Sequence, residues 1–392
     1  MLDAIVVGVG GMGSAAAYHL AARGATVLAL EQFDIPNDLG SSHGLSRIIR
    51  LAYWEHPAYV PLVRRAYALW RALEADAGEP LLVVTGSIDA GPPGSRNIDG
   101  ARAACAAHDL PHDELDSAAL TARFPGYRLP PDVLAIFQPD GGFLRPEACI
   151  AAHASLARRR GADVRTRVRV AGWESDGGFV RVRTSDGDHV ARTLVLTAGA
   201  WSGSILPPLA PSLAPERQVM LWTEPLRPER FAVGVFPVFY IDMPAGPFYG
   251  FPSHDGAGFK IGRYHHRGER VDPDTMDRAS HPEDERVLRD GVRRYFPDAD
   301  GPTLAMKTCL FTNSPDEHFV IDRAPGAAPV LVAAGFSGHG FKFCSVVGEI
   351  LADLALDGGT RHDISLFSAS RLPPLIVSKA GARGASGSGR DD

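Results

Sequence analysis

The residues most able to do chemistry lie near the start of the chain, in a glycine-rich turn suited to phosphate. The segment fits G-x-G-x-x-G, with glycine at Gly8, Gly10, Gly11 and Gly13. The first glycine permits a tight turn, the next lets the backbone approach a pyrophosphate, and the last lets a helix pack closely on a strand. Glu31 is placed to accept hydrogen bonds from a ribose and disfavours a 2′-phosphate. The motif predicts a bound dinucleotide and leaves NAD and FAD open.

The flanking residues predict the elements that this turn needs. An apolar run ends at Gly8, residues 11–23 carry apolar side chains at helical spacing, and residues 25–30 have the pattern of a second strand. A glycine-rich turn outside such a strand–turn–helix–strand unit need hold no ligand, whereas inside one it is typical of dinucleotide binding. We therefore predict an α/β protein with a Rossmann-like domain.

Lysine is rare in this chain. Four of the 40 Lys and Arg residues are lysines, namely Lys260, Lys307, Lys342 and Lys379. Since arginine supplies nearly every other cation, a retained lysine marks a position that needs a compact, titratable ammonium, unless it survives by chance. The pattern alone leaves both interpretations open.

Composition indicates a soluble globular enzyme. Charged residues make up 22% of the chain and hydrophobic residues 45%, and the net charge of -6 argues against affinity for nucleic acid or an anionic membrane. No apolar run is long enough to span a membrane. Because the first strand starts near Ala4, no signal peptide is expected, and we predict a cytoplasmic protein.

Cysteine and histidine spacing gives no support for a metal site. The four cysteines form no CxxC pair, and we expect them to be reduced thiols. His265 and His266 are adjacent, but nothing nearby completes a familiar ligand set. We therefore predict no metal.

Further elements follow along the chain. The patterns predict an amphipathic helix at 57–77, strands at 164–170, 180–184, 193–197, 319–322 and 330–334, a sheet with loops at 205–260, and a helix at 341–356. The Gly/Ser/Ala/Arg-rich tail at 376–392 is predicted to be disordered.

Three further stretches carry a family resemblance. They are HGLSRIIR at 43–50, Thr308-Cys309 with SPDEHFVID at 314–322, and GFSGHGFKF at 335–343. All three resemble the monomeric sarcosine oxidase and N-methyltryptophan oxidase group of the D-amino-acid-oxidase-like flavoenzymes. The likeness extends from about residue 3 to residue 370 and is weaker at 85–140 and 205–245. It implies FAD as the cofactor, in place of NAD.

The resemblance implies roles at the cofactor. Cys309 matches the cysteine that carries the flavin through an 8α-thioether, Lys260 matches the lysine that activates oxygen, and Arg47 matches an arginine near the flavin. Cations at these places would stabilise negative charge as it develops. The resemblance adds further cofactor contacts at Ser46, Val170, Gly335, Gly338, His339, Gly340 and Lys342.

The resemblance also implies substrate contacts. Arg50 and Lys342 match the pair that holds the substrate carboxylate, and a planar fork with a point charge suits that group. His265 and Tyr249 match side chains that line the substrate cavity. Plainer interpretations exist for each: Arg47 and Arg50 could share a solvated helix face, Cys309 could be a buried thiol, and the histidines could be structural.

Four departures from the family pattern bear on the substrate. Phe311 stands where the family has a tyrosine, Trp54 stands where it usually has glycine, and Leu45-Ser46 replaces an acidic residue and threonine. One extra residue between Lys260 and His265 means that His266 could be the cavity histidine. Added aromatic surface and lost polarity favour a larger or cyclic amine that still carries a carboxylate.

We therefore predict an FAD-dependent oxidase that converts a secondary amine or amino acid and O2 into an imine and H2O2. It would be a monomer, with its flavin covalently attached through Cys309. Three alternatives stay open: a dehydrogenase with another electron acceptor, a flavoprotein scaffold without turnover, and an NAD enzyme.

The predicted organisation is two domains. A discontinuous FAD-binding domain comprises 1–80, 145–215 and 317–375. A substrate domain built on an antiparallel sheet comprises 81–144 and 216–316.

Overall fold

The computed structural model describes residues 1–176 and 178–372, so the tail predicted at 376–392 lies outside the described residues. The helices are α1 (Gly11–Ala22), α2 (Tyr59–Ala77), α3 (Arg96–His108), α4 (Ser117–Arg123), α5 (Pro146–Arg159), α6 (Ser202–Ile205), α7 (Pro282–Tyr295) and α8 (Cys344–Leu356). Short 3₁₀ turns lie at Gly199–Trp201, Pro207–Ser212, Pro228–Arg230, Pro297–Ala299, Phe341–Phe343, Ser365–Phe367 and Ala369–Arg371.

The strands, numbered along the chain, form three sheets. They are β1 (Leu2–Val7), β2 (Val27–Leu30), β3 (Arg47–Ile49), β4 (Leu82–Val84), β5 (Ser87–Gly91), β6 (Asp113–Asp116), β7 (Leu134–Gln138), β8 (Gly142–Leu144), β9 (Asp163–Arg165), β10 (Val170–Ser175), β11 (Val180–Thr184), β12 (Gly187–Leu196), β13 (Ala214–Thr223), β14 (Val238–Met243), β15 (Gly246–Phe251), β16 (Phe259–Arg263), β17 (Thr303–Asn313), β18 (Val320–Ala324) and β19 (Ala327–Ala334).

The first sheet is built around parallel strands in the order β9, β2, β1, β12 and β19. The hairpin of β10 and β11 adds to β12, and β18 pairs with β19, both in antiparallel fashion. Helix α1 packs against α5 and α8 beside it. Strands covered on both faces are continuous apolar runs, as β2 and the last four residues of β1 are. The Rossmann-like α/β fold predicted from the sequence is confirmed.

The second sheet has the order β17-β13-β16-β15-β14-β5-β7-β6 and is antiparallel except where β14 runs parallel to β5. Side chains alternate between its faces. One face packs a core that includes Val219, Leu221, Phe239 and Ile261. The opposite face, which we call the site face, carries the polar side chains considered below. The third sheet has the order β3-β8-β4.

Two predicted elements need correction. The strand expected at 164–170 is split into β9 and β10, because Arg167 adopts a left-handed φ of 60° that interrupts an extended chain. The helix expected at 341–356 begins as the 3₁₀ turn Phe341–Phe343, and α8 starts at Cys344. The domain boundaries stay a prediction.

Within the described residues, no helix is both long and apolar enough to cross a bilayer.

A buried ionic network ties α7 to the second sheet. The Arg217 guanidinium donates to both carboxylate oxygens of Asp284 at 3.0 and 2.8 Å, and His266 Nε2 lies 2.9 Å from the same carboxylate. Burial disfavours the charged carboxylate, yet hydrogen bonds from Arg217 and its neighbours hold the pKa of Asp284 below its ordinary value. Asp284 also accepts the backbone N–H of His281 and so caps its own helix.

We predict that Asp284→Ala lowers the free energy of unfolding by about 3–5 kcal/mol, because Arg217 would be left buried without its partner. Urea-induced unfolding followed by circular dichroism measures the change. The control is Asp290→Ala, which removes a partly exposed carboxylate of the same helix from its pair with Arg294 and should leave the unfolding curve unchanged. Equal losses in the two variants would contradict the structural role of the network.

Candidate active site

The glycine-rich turn has the close contacts that the motif requires. Gly8 has a φ of 87°, and a Cβ on Gly13 would lie 1.8 Å from the Gly8 carbonyl oxygen. A Cβ on Gly11 would lie 2.6 Å from Cys344 Sγ. At Gly10, by contrast, a Cβ would meet nothing within 4 Å, so this glycine faces open space. The turn therefore packs tightly on its protein side and leaves room on the side where a pyrophosphate would lie.

Glu31 lies just after β2 beside the turn. Its two carboxylate oxygens accept the backbone N–H groups of Val9, at 2.8 Å, and Phe33, at 3.0 Å. Burial raises the pKa of Glu31, and these N–H groups oppose that shift. Because a carboxylate can accept about four hydrogen bonds, some capacity remains for a ligand. Its binding of a ribose stays a prediction.

A cavity of about 640 Å³ extends from the turn across the molecule. This volume is in the range of cofactor sites. Its lining includes these residues that the sequence predicts at the cofactor or substrate: Gly8, Gly10, Gly11, Glu31, Arg47, Val170, Phe311, Gly335, Gly338 and Gly340. The long cavity and the open space at Gly10 fit a dinucleotide.

Arg47 opens β3 and connects several predicted residues. One guanidinium nitrogen donates to the Ser46 carbonyl at 2.9 Å, and the other donates to the Ser41 carbonyl at 2.7 Å and lies 3.5 Å from Cys309 Sγ. Cys309 is buried on β17, opposite Gln218 of β13. The structure thus excludes the solvated helix face as an interpretation of Arg47 and brings its charge to the Cys309 sulfur.

Lys260 lies on the site face of β16 and is 1% exposed. Its ammonium donates to the carbonyls of Gly44 and Ser46, at 2.7 and 2.9 Å, and to Ser46 Oγ at 3.2 Å. It also lies 4.4 Å from the centre of the Phe251 ring, in cation–π contact. Burial, with the nearby Arg47, lowers the pKa of Lys260 well below its ordinary value. Three acceptors nevertheless match the three donors of the charged form.

Tyr249 is placed beside this group by strand register. It lies opposite Gly262 on the neighbouring strand, while Phe251 lies opposite Lys260, so all four positions share the site face. A Cβ on Gly262 would lie 2.4 Å from the Tyr249 ring, so the glycine makes room for it. Burial raises the pKa of Tyr249 and keeps the phenol neutral.

Arg50 lies beyond the end of β3 and is 5% exposed. Its guanidinium is 3.1 Å from a Glu55 oxygen and 3.2 Å from Asp89 Oδ2. Burial disfavours the charged form, yet Asp89 and Glu55 together raise the pKa of Arg50. The solvated helix face is therefore excluded for Arg50 also. The two acids beside its guanidinium nitrogens, Glu55 and Asp89, were not revealed by the sequence.

Lys342 approaches the same cluster from the 3₁₀ turn before α8. Its ammonium donates to the His339 carbonyl at 2.8 Å and lies 5.0 Å from the centre of the Tyr53 ring. Burial and the nearby Arg50 lower the pKa of Lys342 to about 7. The two cations of the predicted carboxylate clamp are therefore brought together by the fold.

His339 stabilises the loop that carries Gly338 and Gly340. Its ring nitrogens contact the Tyr53 hydroxyl and, at 2.9 Å, the Glu317 carbonyl. Burial lowers the pKa of His339 to about 4, so the ring is neutral. Since both nitrogens have protein partners, the side chain braces the loop, and its contact with a cofactor stays a prediction.

A row of aromatic rings leads from the cavity to Arg50. Phe311 packs against Gly338, where a Cβ would lie 2.4 Å from its ring. The distances between ring centres along this row are 5.4 Å from Phe311 to Tyr264, 6.2 Å from Tyr264 to Tyr240, and 5.2 Å from Tyr240 to Trp54. The added aromatic surface predicted at Trp54 and Phe311 thus forms the two ends of one continuous apolar wall.

The two adjacent histidines face different surroundings. His265 contacts Glu216 and Glu317, at 3.1 Å each, and its ring is 6.3 Å from that of Phe311. Hydrogen bonds to these two acids raise the pKa of His265 to about 9, so it is charged at neutral pH. His266 is held in the buried Asp284 network instead. The structure therefore places His265 closer to the candidate site.

Sequence reasoning missed the acids of this site, chiefly Glu55, Asp89 and Glu216. One signal was present: Ser87 and Asp89 are polar residues two apart in an apolar strand, as expected for a strand whose one face meets a polar site. Their partners could not be inferred, because they come from distant parts of the chain.

Comparison with known proteins gives a consistent picture. The model of the FAD dependent oxidoreductase family matches residues 3–354. A monomeric sarcosine oxidase from Streptomyces avermitilis is 43% identical over 379 residues, covering 94% of this chain and 97% of that protein. An N-methyl-L-tryptophan oxidase from Yersinia pestis is 35% identical over 374 residues, covering 94% and 99% of the two chains.

Among solved structures, NikD is described as an unusual amino acid oxidase essential for nikkomycin biosynthesis. It matches with a TM-score of 0.82 and 27% identity, covering 94% of this chain and 97% of that one. The resemblance predicted from the sequence is confirmed, and the cofactor of the protein is FAD. Because the family match spans nearly all of the described residues, the chain belongs to the FAD dependent oxidoreductase family.

Proposed function

We propose that this protein oxidises a secondary amine, an N-methyl or cyclic amino acid, with O2 as electron acceptor and H2O2 as product. The observation that supports it most is Lys260, a buried ammonium held only by neutral oxygens beside Arg47. The names of the two relatives, which specify sarcosine and N-methyl-L-tryptophan, support an N-methyl amino acid. The curated name "monomeric" and the four free cysteines support a monomer in the cytoplasm.

We assign FAD to the described residues of the predicted domain formed by 1–80, 145–215 and 317–375. The glycine turn would hold the pyrophosphate with its backbone amides at the N-terminus of α1, and Glu31 would accept from the ribose. The loop of Gly335, Gly338 and Gly340 would meet the flavin ring with Ser46, Val170 would contact the cofactor, and Cys309 would attach the flavin covalently. When bound, FAD takes two electrons from the amine and passes them to oxygen.

The chain supplies positive charge where anions form. Lys260 and Arg47 contact the same carbonyl, that of Ser46, and are preorganised, since each makes at least two hydrogen bonds to backbone oxygens. Fixed cations in a site that excludes water stabilise negative charge on oxygen as it is reduced. Tyr249 is neutral and partly buried next to them, and would help to exclude water.

At the substrate end, Arg50 and Lys342 would orient the group farthest from the oxidised C–N bond. The aromatic wall from Phe311 to Trp54 would pack on the apolar part of the substrate, which favours an amine larger than sarcosine. His265 is charged and is held in place by contacts with two acids, and it would complete the wall near Phe311.

A peroxide-release screen tests the proposed function. We expect H2O2 from N-methyl or cyclic amino acids and none from primary amines, with the visible flavin spectrum recorded anaerobically alongside. Reduction by substrate followed by slow reoxidation in air would instead indicate a dehydrogenase with another acceptor. A flavin that no amine reduces would indicate a scaffold without turnover.

We predict that Lys260→Met slows reoxidation of the reduced enzyme by O2 by roughly 100-fold, the order found when one preorganised charge donor is removed. Reduction by substrate should change far less, and stopped-flow absorbance separates the two steps. The control is Lys307→Met, an exposed lysine two residues before Cys309 whose loss removes the same charge. Equal slowing of both steps would contradict a specific role toward oxygen.

We predict that Cys309→Ala abolishes covalent attachment, so that flavin is released when the protein is denatured and filtered. The control is Cys344→Ala, which removes another buried thiol, one that lines the cavity, and should leave the flavin attached. Yellow precipitate from Cys309→Ala, or flavin released by the unmodified enzyme, would refute the assignment.

A further inference from the structure

The substrate end of the site contains as many buried acids as bases. Arg50 and Asp89 are 5% and 1% exposed, Lys342 is 4% exposed, and the Glu55 side chain is 8% exposed. When all four are ionised, the cluster carries no net charge. A clamp built to hold a free carboxylate needs a surplus of positive charge, which two uncompensated cations would supply and this cluster does not.

Asp89 reaches this cluster through strand pairing. It lies opposite Tyr240, where β5 runs parallel to β14, so the two side chains share the site face. Its Oδ2 is 3.2 Å from Arg50 Nε, and its Oδ1, although buried, has no hydrogen-bond partner among the described residues. Helix α3 packs against β5. Asp89 is thus fixed in the core beside Arg50.

We propose that Asp89 is a specificity-determining positioning residue that weakens the hold of Arg50 and Lys342 on a free carboxylate. Secondary amines whose far end is uncharged, such as amides and esters of N-alkyl amino acids, then bind about as well as the free amino acids. The inference rests on the proposed function, since it takes the far end of the amine to meet these two cations.

The physical reason is competition for one guanidinium. Asp89 lies 3.2 Å from Nε in an ion pair that is not a hydrogen bond, and Glu55 accepts from one terminal nitrogen, so the guanidinium charge is shared with two acids. Burial raises the pKa of Asp89 to about 7, and in its ionised form it repels an incoming anion at short range together with Glu55. A neutral ligand experiences neither effect. Asparagine at position 89 keeps an oxygen for Arg50 Nε and removes the charge, which separates repulsion from packing.

The test measures ligand binding to the intact flavoprotein, without turnover. Methoxyacetate, an anion, and methoxyacetamide, its neutral counterpart, are titrated while flavin absorbance is recorded. We expect the two dissociation constants of the unmodified enzyme to agree within about threefold, and Asp89→Asn to bind methoxyacetate roughly tenfold more tightly, with methoxyacetamide unchanged. A gain in affinity is a result that structural damage does not produce.

The matched control is Asp242→Asn, which removes a half-buried carboxylate from the neighbouring strand on the same face without touching Arg50. Its dissociation constants should stay within about twofold of the unmodified enzyme. If Asp89→Asn does not fold, Asp89→Ser removes the same charge. Unchanged or weaker methoxyacetate binding in the folded variant, or an equal gain in Asp242→Asn, overturns the proposal. Amine turnover by the unmodified enzyme, measured in parallel, shows separately whether the proposed function holds.

Discussion

Lys260 and Arg47 donate to the same carbonyl oxygen, that of Ser46, each at 2.9 Å. Within residues 1–176 and 178–372, no carboxylate makes an ion pair with either cation; Glu147, which is near, accepts the N–H groups of Gly44 and its neighbour instead. A buried and a partly buried positive charge without a counter-ion are costly, and an anion in the adjoining cavity relieves that cost. Under the proposed function, the arrangement would favour reduced cofactor and reduced oxygen over their neutral forms, and the surrounding strands hold the two cations in place.

The second pair of cations is treated in the opposite way. Arg50 and Lys342 lie among Glu55 and Asp89, and the ionised forms of these acids oppose their charge before any ligand arrives. Under the proposed function, the two centres would divide the work. The uncompensated pair would act on charge that develops during the reaction, whereas the compensated pair would position a substrate without binding it strongly. Weak binding of the substrate in its ground state keeps the free energy of the enzyme–substrate complex from falling, and so does not enlarge the barrier to the transition state.

The sequence was enough to single out Lys260 and Arg47, but it did not reveal the acids that surround Arg50 and Lys342. The glycine turn could be predicted because its geometry depends on neighbouring residues, and the family resemblance placed Arg47 and Cys309 together. Asp89 could not be predicted as a partner of Arg50, since their contact joins β5 to the end of β3, and these strands belong to different sheets. The choice between the two histidines also needed the structure. His265 has a φ of 60°, and that turn directs adjacent side chains to different surroundings.

The two centres can vary independently, because one sheet holds them apart. Lys260 lies on β16 and Asp89 on β5, three strand spacings away in the order β16-β15-β14-β5, which is roughly 14 Å at about 4.8 Å per strand. Changes at sites so far apart, with no shared partner, combine additively in most proteins. Under the proposed roles, substitution at Asp89 or Glu55 would thus alter which amine binds while the charges of Lys260 and Arg47 stay as they are. This sheet would then allow a change of substrate at one edge of the site face with the oxygen chemistry kept at the other.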